Sequence, residues 1–176
     1  VVLRFKKFDG FIHRTFNAVD VVFFMQSLQN IYKKHGGLEK AFFSSTSNNE
    51  AALYAITNFR KVFFSIEHPQ RTGKHVSNPS ENSSAKRLCM FLRWMVRNDK
   101  RGVDFGIWKS SLLPSHLMCP LDVHSGNVAR KLGLLKRTQN DWKAVEELTA
   151  NLRKFDANDP VKYDFALFGL GVFEKF

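Results

Sequence analysis

The chain has 176 residues, with 27 lysines and arginines against 16 aspartates and glutamates, which gives a formal net charge of +11. Because 44% of the residues are hydrophobic, including 18 phenylalanines, the chain can bury a substantial core, which excludes a disordered or fibrous protein. Its longest purely apolar run, 21–25, is far shorter than the roughly 18 residues of a membrane-spanning helix, and no signal-peptide pattern is present. We therefore expect a cytoplasmic protein with no membrane partner.

The excess of positive charge favours a polyanionic partner, since it raises the local concentration of nucleic acid and makes binding depend on salt. The alternative is that the charge only keeps a phenylalanine-rich chain in solution. Two cysteines, Cys89 and Cys119, are too few for a disulfide framework, a four-cysteine zinc site or an iron-sulfur cluster. No metal and no small-molecule cofactor are expected, and the sequence does not determine the oligomeric state.

The first half of the chain has a helical hydrophobic period. Apolar residues three and four positions apart predict a helix over 21–32, ended by the glycine pair 36–37, and a second helix over 52–66. The polar stretch 68–84 contains two prolines and a glycine and is expected to be a surface loop. Because the chain begins at Val1 without methionine, we expect a fragment that lacks an N-terminal segment.

The next helix is expected to begin after Ser83 or Ser84 as its N-cap. Its inward residues would be Leu88, Phe91, Leu92 and Met95. The segment 98–119, with two glycines and a proline, is expected to be an irregular insertion.

Three further helices are predicted after the insertion. Asp122 is placed to cap a short helix that Gly133 ends, Asn140 to cap a helix over 141–155, and Asp159 to cap a last helix with Pro160 in its first position. No convincing strand pair and no internal repeat is found. The pattern predicts a single all-α domain over 1–176.

Asp122 is the most informative polar residue, because it stands at a helix start within Pro120-Leu121-Asp122-Val123-His124. A helix N-terminus stabilises the charged carboxylate, so Asp122 is expected to be ionised at neutral pH. Such a carboxylate can stabilise a sugar oxocarbenium ion or take a proton from a nucleophile. The alternative is a plain N-cap, which contributes about 1 kcal/mol to stability.

Lys86 is a candidate nucleophile in the first turn of its helix. It shares one helix face with Met90, Arg93 and Arg97, which follow at intervals of four, three and four residues. A free amine at this position can attack a sugar C1′ and form a Schiff base. The alternatives are a solvated basic face or a lysine that pairs with phosphate.

Four long segments resemble a bacterial family that carries no assigned function. They are KRLCMFLRWMVR at 86–97, GVDFGIW at 102–108, PLDVH at 120–124 and DPVKYDFALFG at 159–169. The resemblance covers nearly the whole chain, and by itself it implies no activity. Members of this family usually extend further at the N-terminus, which fits the missing methionine.

A more distant resemblance is to the helix-hairpin-helix DNA glycosylases. In these proteins a catalytic lysine opens one helix, and an aspartate segment similar to Leu121-Asp122-Val123-His124 opens another, which continues into a stretch like 128–133 here. The family's hairpin before the lysine reads Leu-Pro-Gly-Val-Gly, whereas this chain has residues 82–85, Asn-Ser-Ser-Ala. Lys86 and Asp122 are also about twice as far apart as in the family, with the insertion between them.

The glycosylase resemblance implies DNA repair by excision of a damaged, flipped base from double-stranded DNA, with Schiff-base lyase activity. Lys86 would be the nucleophile and Asp122 the carboxylate, while Trp94 or Trp108 would stack on the base. The implied nucleic-acid contacts are Arg93, Arg97, His124, Arg130 and Lys131. Two alternatives remain open: a non-catalytic nucleic-acid-binding module, and a protein-interaction domain with an exposed apolar patch.

Overall fold

The computed structural model describes residues 10–43, 51–174 and 176. This part of the chain is mainly helical, which confirms the predicted helical class. The helices are α1 Ala18–Lys34, α2 Leu38–Phe42, α3 Ala51–Phe63, α4 Lys86–Val96, α5 Val123–Lys131, α6 Trp142–Arg153 and α7 Asp164–Val172. None of the helices in the described ranges has both the length and the hydropathy that a membrane crossing requires.

Packing divides the described residues into two units, and the boundary falls inside α3. The smaller unit contains the residues up to Phe43 together with Asn58–Val76. The larger unit contains the start of α3 and the chain from Ser77 onward, which includes α4 to α7 and both candidate catalytic residues. The expectation of one domain over 1–176 stays a prediction.

The smaller unit begins with a hairpin that the sequence analysis did not expect. Strand β1, Ile12–His13, pairs antiparallel with β2, Phe16–Asn17, and Arg14 in the turn has a left-handed φ of 55°. Two residues per strand are too few to show the alternation that identifies a strand in a sequence. Asn17 then caps α1, since its side chain accepts from the backbone N–H of Asp20.

Phenylalanine rings fill the core of the smaller unit. Phe23 and Phe24 on α1 each pack edge to face against Phe63, with ring centroids 5.4 and 4.9 Å apart. Phe42 and Phe59 stack with centroids 4.4 Å apart. Aromatic contacts of this kind add about 0.5–1.5 kcal/mol each beyond the burial of their area.

In the larger unit, α5 packs along α7, and α4, α5 and α6 supply a buried aliphatic core. Its members include Leu92, Val96, Val128, Leu148 and Leu152. The inward face predicted for α4 is wrong in part, because the buried residues of this helix are Cys89, Leu92, Arg93 and Val96. Because the buried face of α4 includes the charged Arg93, it differs from the face that the spacing of apolar residues predicts.

Three predicted helix caps can be compared with the structure. The capping of α5 by Asp122 is confirmed, whereas the N-cap of α6 is Asp141 rather than Asn140. The N-cap of α4 is Ala85, so the prediction of Ser83 or Ser84 is wrong. Ala85 has a left-handed φ of 46° and no capping side chain, and Lys86 is the first residue of the helix.

The last helix is expected to begin with Asp159 and Pro160. In the structure these residues begin a short 3₁₀ helix, Pro160–Tyr163, which leads directly into α7. The stretch 68–84 contains two further 3₁₀ helices, Gln70–His75 and Pro79–Glu81. Within the insertion, only Pro114–His116 forms a helical turn. Otherwise the chain between α4 and α5 is irregular, as its glycines and proline predict.

The segment before α4 is attached to the start of α6. The Asn82 side-chain amide donates to Asp141 Oδ2 over 3.1 Å, and the Trp142 backbone N–H donates to the Asn82 carbonyl over 3.3 Å. Arg137 also donates to both oxygens of the Asp141 carboxylate. Asp141 therefore connects the cap of α6 to the position from which α4 begins.

Replacing Asp141 by Asn should give a loss of stability that depends on pH. Hydrogen bonds from Arg137 lower the pKa of Asp141 to about 2, below its ordinary value. The ionised carboxylate therefore stabilises the fold above its ordinary pKa, and this contribution disappears as the pH falls toward 2. Asn keeps the cap, so urea unfolding should show a wild-type advantage at neutral pH that shrinks on acidification.

The Asp141→Ala variant is the companion to this test, because it removes the cap as well as the charge. It should cost about a further 1 kcal/mol at every pH at which the protein is folded. A difference between the wild type and Asp141→Asn that stays constant with pH would contradict the assignment of the effect to the ionised carboxylate.

Candidate active site

The structure brings Lys86 and Asp122 into direct contact. Lys86 Nζ lies 2.5 Å from Asp122 Oδ2, although 36 residues separate them in the chain. The lysine opens α4 and the aspartate caps α5, so the contact joins the N-termini of two helices. The side chains are 35% and 19% exposed, so both are accessible from solvent. The catalytic roles of this pair remain predictions.

The Asp122 carboxylate is held in place by the first turn of α5. The Ser125 backbone N–H donates to Asp122 Oδ1 over 2.9 Å, and the Ser125 hydroxyl donates to the same oxygen over 3.1 Å. The other oxygen, Oδ2, is thereby directed to Lys86. Burial favours a higher pKa for Asp122, but the hydrogen bonds from Lys86 and Ser125 outweigh it and hold the pKa below its ordinary value. The carboxylate is therefore ionised at neutral pH.

Asn140 fixes the backbone of Asp122 from the other side. Its amide donates to the Asp122 carbonyl over 3.2 Å, while its oxygen accepts from Arg130 Nη2 over 2.6 Å. Gly126 makes room for this arrangement, because a Cβ there would lie 2.8 Å from Asn140 Oδ1 and 3.0 Å from Arg130 Nη1. In the sequence, Asn140 has only the pattern of a helix cap, and no pattern distinguishes Gly126.

Arg130 is thus part of the support of the site. Besides its bond to Asn140, its Nε donates to the Arg137 carbonyl over 2.8 Å. These two bonds hold the guanidinium against the protein, and the predicted contact of Arg130 with phosphate stays a prediction. Lys131, the next residue, is exposed, with its Nζ 5.6 Å from the centre of the Phe176 ring. His124 is exposed as well.

An aromatic ring on α7 lies beside the pair. The centre of the Phe168 ring is 5.5 Å from Lys86 Nζ and 6.2 Å from the His124 ring, which it meets edge to face. In the sequence, Phe168 lies in an apolar run and has the pattern of a core residue. Of the two tryptophans proposed for stacking, Trp108 is buried and Trp94 is half-buried.

Arg93 is buried among carboxylates in the structure, and its predicted contact with phosphate stays a prediction. It is 1% exposed, its Nη1 donates to Asp164 over 2.5 Å, and its Nη2 donates to Asp104 over 3.3 Å. The Phe165 ring covers the guanidinium, with Cζ 3.9 Å from the ring centre. A charged side chain with this burial requires such partners, because an unpaired charge in the interior is very costly.

Arg97 is likewise committed to carboxylates. Its Nε donates to Asp159 over 2.8 Å, and its Nη1 donates to Asp99 over 2.9 Å and to Asp104 over 2.5 Å. Three carboxylates thus surround the charge of Arg97, and its predicted contact with phosphate stays a prediction. The basic stripe along α4 is therefore a row of ion pairs, in which only the Lys86 end is open. Helical spacing cannot show these partners, because they lie outside the helix.

A pocket of about 280 Å³ lies near the C-terminal half of α4. It is lined by Arg93, Arg97, Asp99, Arg101, Lys162, Tyr163 and Phe165. At 1.5 Å per residue, Arg93 lies about 10 Å along α4 from Lys86, so this pocket does not coincide with the Lys86–Asp122 contact.

Replacing Arg93 by Gln should destabilise the protein by about 3 kcal/mol or more, because it leaves Asp164 buried without its ion-pair partner and Asp104 with Arg97 alone. Lys131→Gln, at an exposed position, should change stability by less than about 0.5 kcal/mol. Urea unfolding of both variants measures the two effects. An Arg93→Gln protein as stable as wild type but weaker in DNA binding would restore the phosphate role.

A protein-family model described as "Protein of unknown function (DUF2400)" matches residues 3–173. The chain matches no curated protein and no solved structure. The family match agrees with the first resemblance noted in the sequence and adds no activity. The resemblance to helix-hairpin-helix glycosylases stays a prediction.

Proposed function

Because the chain belongs to the DUF2400 family, a family of unknown function, we propose its activity from its own side chains: it is a DNA glycosylase that excises a damaged base flipped out of duplex DNA. The observation that supports this most directly is the 2.5 Å contact between Lys86 Nζ and Asp122 Oδ2 at a surface open to solvent. A nucleophile within hydrogen-bond reach of its base is the arrangement that covalent catalysis needs.

Two features separate this contact from an ordinary surface ion pair. The Asp122 carboxylate is already fixed by Ser125, so its second oxygen is presented to the amine in one orientation. Both groups also stand at helix N-termini, whose partial positive charge attracts the phosphates of a polyanion. Ordinary exposed pairs contribute about 0–1 kcal/mol to stability and are poorly fixed in orientation.

The proposed reaction begins with transfer of a proton from Lys86 Nζ to Asp122 Oδ2. The freed electron pair on Nζ attacks C1′ of the flipped nucleotide as the C1′–N bond to the base breaks. The base leaves with the electron pair of that bond and takes a proton from water. The nitrogen then loses a second proton to water. As it forms the C1′=N bond, O4′ leaves C1′ and takes the proton that Asp122 holds. The product is a protonated Schiff base on Lys86.

Substrate binding itself would promote the first proton transfer. In the free protein the two groups form an ion pair, in which the amine is protonated and cannot attack. Nucleic acid that covers the site expels water, which disfavours the separated charges of the ion pair. Desolvation therefore moves the proton from Lys86 to Asp122, so the nucleophile forms only under the substrate.

Phe168 supplies the aromatic surface that a flipped base requires. Its ring lies 5.5 Å from Lys86 Nζ, which is close enough for a base attached to the reacting sugar to stack on it. This places Phe168 in the role that the sequence analysis considered for Trp94 and Trp108.

The backbone before α4 also supports the glycosylase resemblance. Asn82 and Ala85 have left-handed φ values of 66° and 46°, a conformation that glycine adopts most easily. These residues occupy the place at which the family has a glycine-containing hairpin. In this proposal the two left-handed residues take the part of the family's glycines, directly before the residue that would be the nucleophile.

The Lys86→Gln variant should no longer form a covalent complex that borohydride traps on damaged duplex DNA, because glutamine has no nucleophilic nitrogen. DNA binding should remain nearly unchanged. A panel of duplexes containing oxidised, deaminated or alkylated bases, or an abasic site, identifies the substrate in the same assay. Strong trapping by Lys86→Gln would contradict the assignment of the nucleophile.

Lys162→Gln is the matched control, since Lys162 also forms an ion pair with an aspartate, Asp156, in the same unit. Its trapping should equal that of the wild type. If the wild-type chain binds DNA with steep salt dependence but neither releases a base nor traps on any member of the panel, the non-catalytic binding module replaces the proposed enzyme.

Asp122→Asn should slow base release by about 10²–10⁴-fold, because the amide cannot take the proton of Lys86. Asn is a good N-cap, so the start of α5 and the thermal stability should be retained within about 1 kcal/mol. Single-turnover rates and thermal melting measure the two effects. A variant with wild-type rates would show that Asp122 serves only as a helix cap.

A further inference from the structure

A row of apolar side chains lies exposed on the segment between α4 and α5. Val103, Phe105 and Ile107 are 36%, 58% and 65% exposed, and we call these three residues the apolar ridge. The residues that alternate with them are buried: Asp104, Gly106 and Trp108. The exposed and buried side chains alternate through a bend and a turn, in which Phe105 forms an isolated β-bridge with Asn98 and Gly106 has a left-handed φ.

The apolar ridge is held rigidly by the end of α4. The backbone N–H of Phe105 donates to the Trp94 carbonyl over 2.7 Å, and that of Trp108 donates to the Met95 carbonyl over 2.7 Å. Gly106 has a φ of 63°, and a Cβ there would lie 2.5 Å from Asn98 Cβ, so no larger residue fits this turn. The conformation that exposes the ridge is therefore determined before any partner arrives.

The apolar ridge is attached to the face of α4 that carries Lys86. Asp104, between two ridge residues, pairs with Arg93 and Arg97, which share one helix face with Lys86. Trp94, to which Phe105 bonds, lies about 12 Å along α4 from Lys86, at 1.5 Å per residue. This is the length of three to four base steps of duplex DNA, at about 3.4 Å each.

Cations stand at both ends of the apolar ridge. Lys100 and Arg101 precede it, Lys109 follows it, and all three are exposed. Within the described ranges, none of these three side chains donates a hydrogen bond, in contrast with Arg93 and Arg97. The charge at the ridge is therefore available to an anionic partner.

We infer that the apolar ridge inserts between base pairs of duplex DNA and kinks it, three to four base steps from the nucleotide held at Lys86. Apolar side chains that enter a base step, with cations on the neighbouring phosphates, are a known way to bend a duplex. The choice of DNA rests on the proposed function. The ridge exposes only three apolar side chains between exposed cations, which suits insertion between stacked bases better than the broad apolar face that lipid binding uses.

The experiment compares the full chain with its Phe105→Ala, Ile107→Ala double variant on an undamaged duplex of about 30 base pairs, three helical turns, with fluorophores at its ends. The wild type should shorten the end-to-end distance, as energy transfer reports. The double variant should bind about tenfold more weakly and leave the duplex straight. Equal bending by both proteins would overturn the inference.

Phe155→Ala is the matched control, because Phe155 is an exposed aromatic residue, 64% exposed, that follows α6 and is not part of the ridge. It should bend DNA as the wild type does. Phe105→Trp should also retain bending, since a larger ring still fills a base step, and its failure would contradict insertion. If the double variant loses binding to phosphatidylserine vesicles while its bending of DNA is unchanged, the ridge faces a membrane and the inference is wrong.

The test separates this inference from the proposed function because it uses undamaged DNA. If the wild type bends DNA through the ridge but never releases a base, the glycosylase proposal is wrong and the inference about the ridge is supported. If the wild type forms the trapped covalent complex on damaged DNA, but the double variant bends undamaged DNA to the same extent as the wild type, only the ridge inference is wrong.

Discussion

The buried ion pairs of α4 organise the larger unit. Arg93 and Arg97 sit on one face of this helix, and burial of their charge is tolerated only because carboxylates from distant segments reach them. Asp104 comes from the insertion, Asp159 from the 3₁₀ helix before α7, and Asp164 from the start of α7. The pairs thus connect the irregular segment after α4 and the last helix of the chain to a single element. The positions of both the apolar ridge and α7 depend on this connection.

The two ends of α4 differ in what they contact: ion pairs hold its C-terminal half, and Lys86 at its start belongs to the candidate site. From Arg93 onward its basic face is covered by carboxylates and by Phe165, whereas Lys86 at its start faces one carboxylate and solvent. Because α4 is held by its buried end, the amine at its open end has a determined position. The candidate site therefore needs few contacts of its own: the cap of α5 holds Asp122, and α7 brings Phe168 to the side of the amine.

The chain has a net charge of +11, but only some of its cationic groups are exposed to a polyanion. Arg93, Arg97 and Arg130 are held by bonds within the protein, although they are among the residues that the sequence suggests for phosphate binding. Lys131 on α5 and the three cations beside the apolar ridge remain exposed. Any nucleic acid that binds the larger unit therefore meets free positive charge at α5 and at the ridge, while the covered part of α4 contributes little of it.

The sequence by itself determined α1 and α3 to α7, the cap of α5 by Asp122 and the place of Lys86 in the first turn of α4, because these features depend on residues within one or two turns of each other. Only the tertiary structure decided which cation of the stripe is open. Lys86 and Arg93 are equivalent in helical spacing, yet the partners of Arg93 lie 11 and 71 residues away. Likewise, the contact between Lys86 and Asp122 joins residues 36 positions apart, which no local pattern predicts. Ala85 has a left-handed φ, which residues other than glycine seldom adopt. Charge pairing and close packing act between segments that the folded chain brings together, and local periodicity contains no information about them.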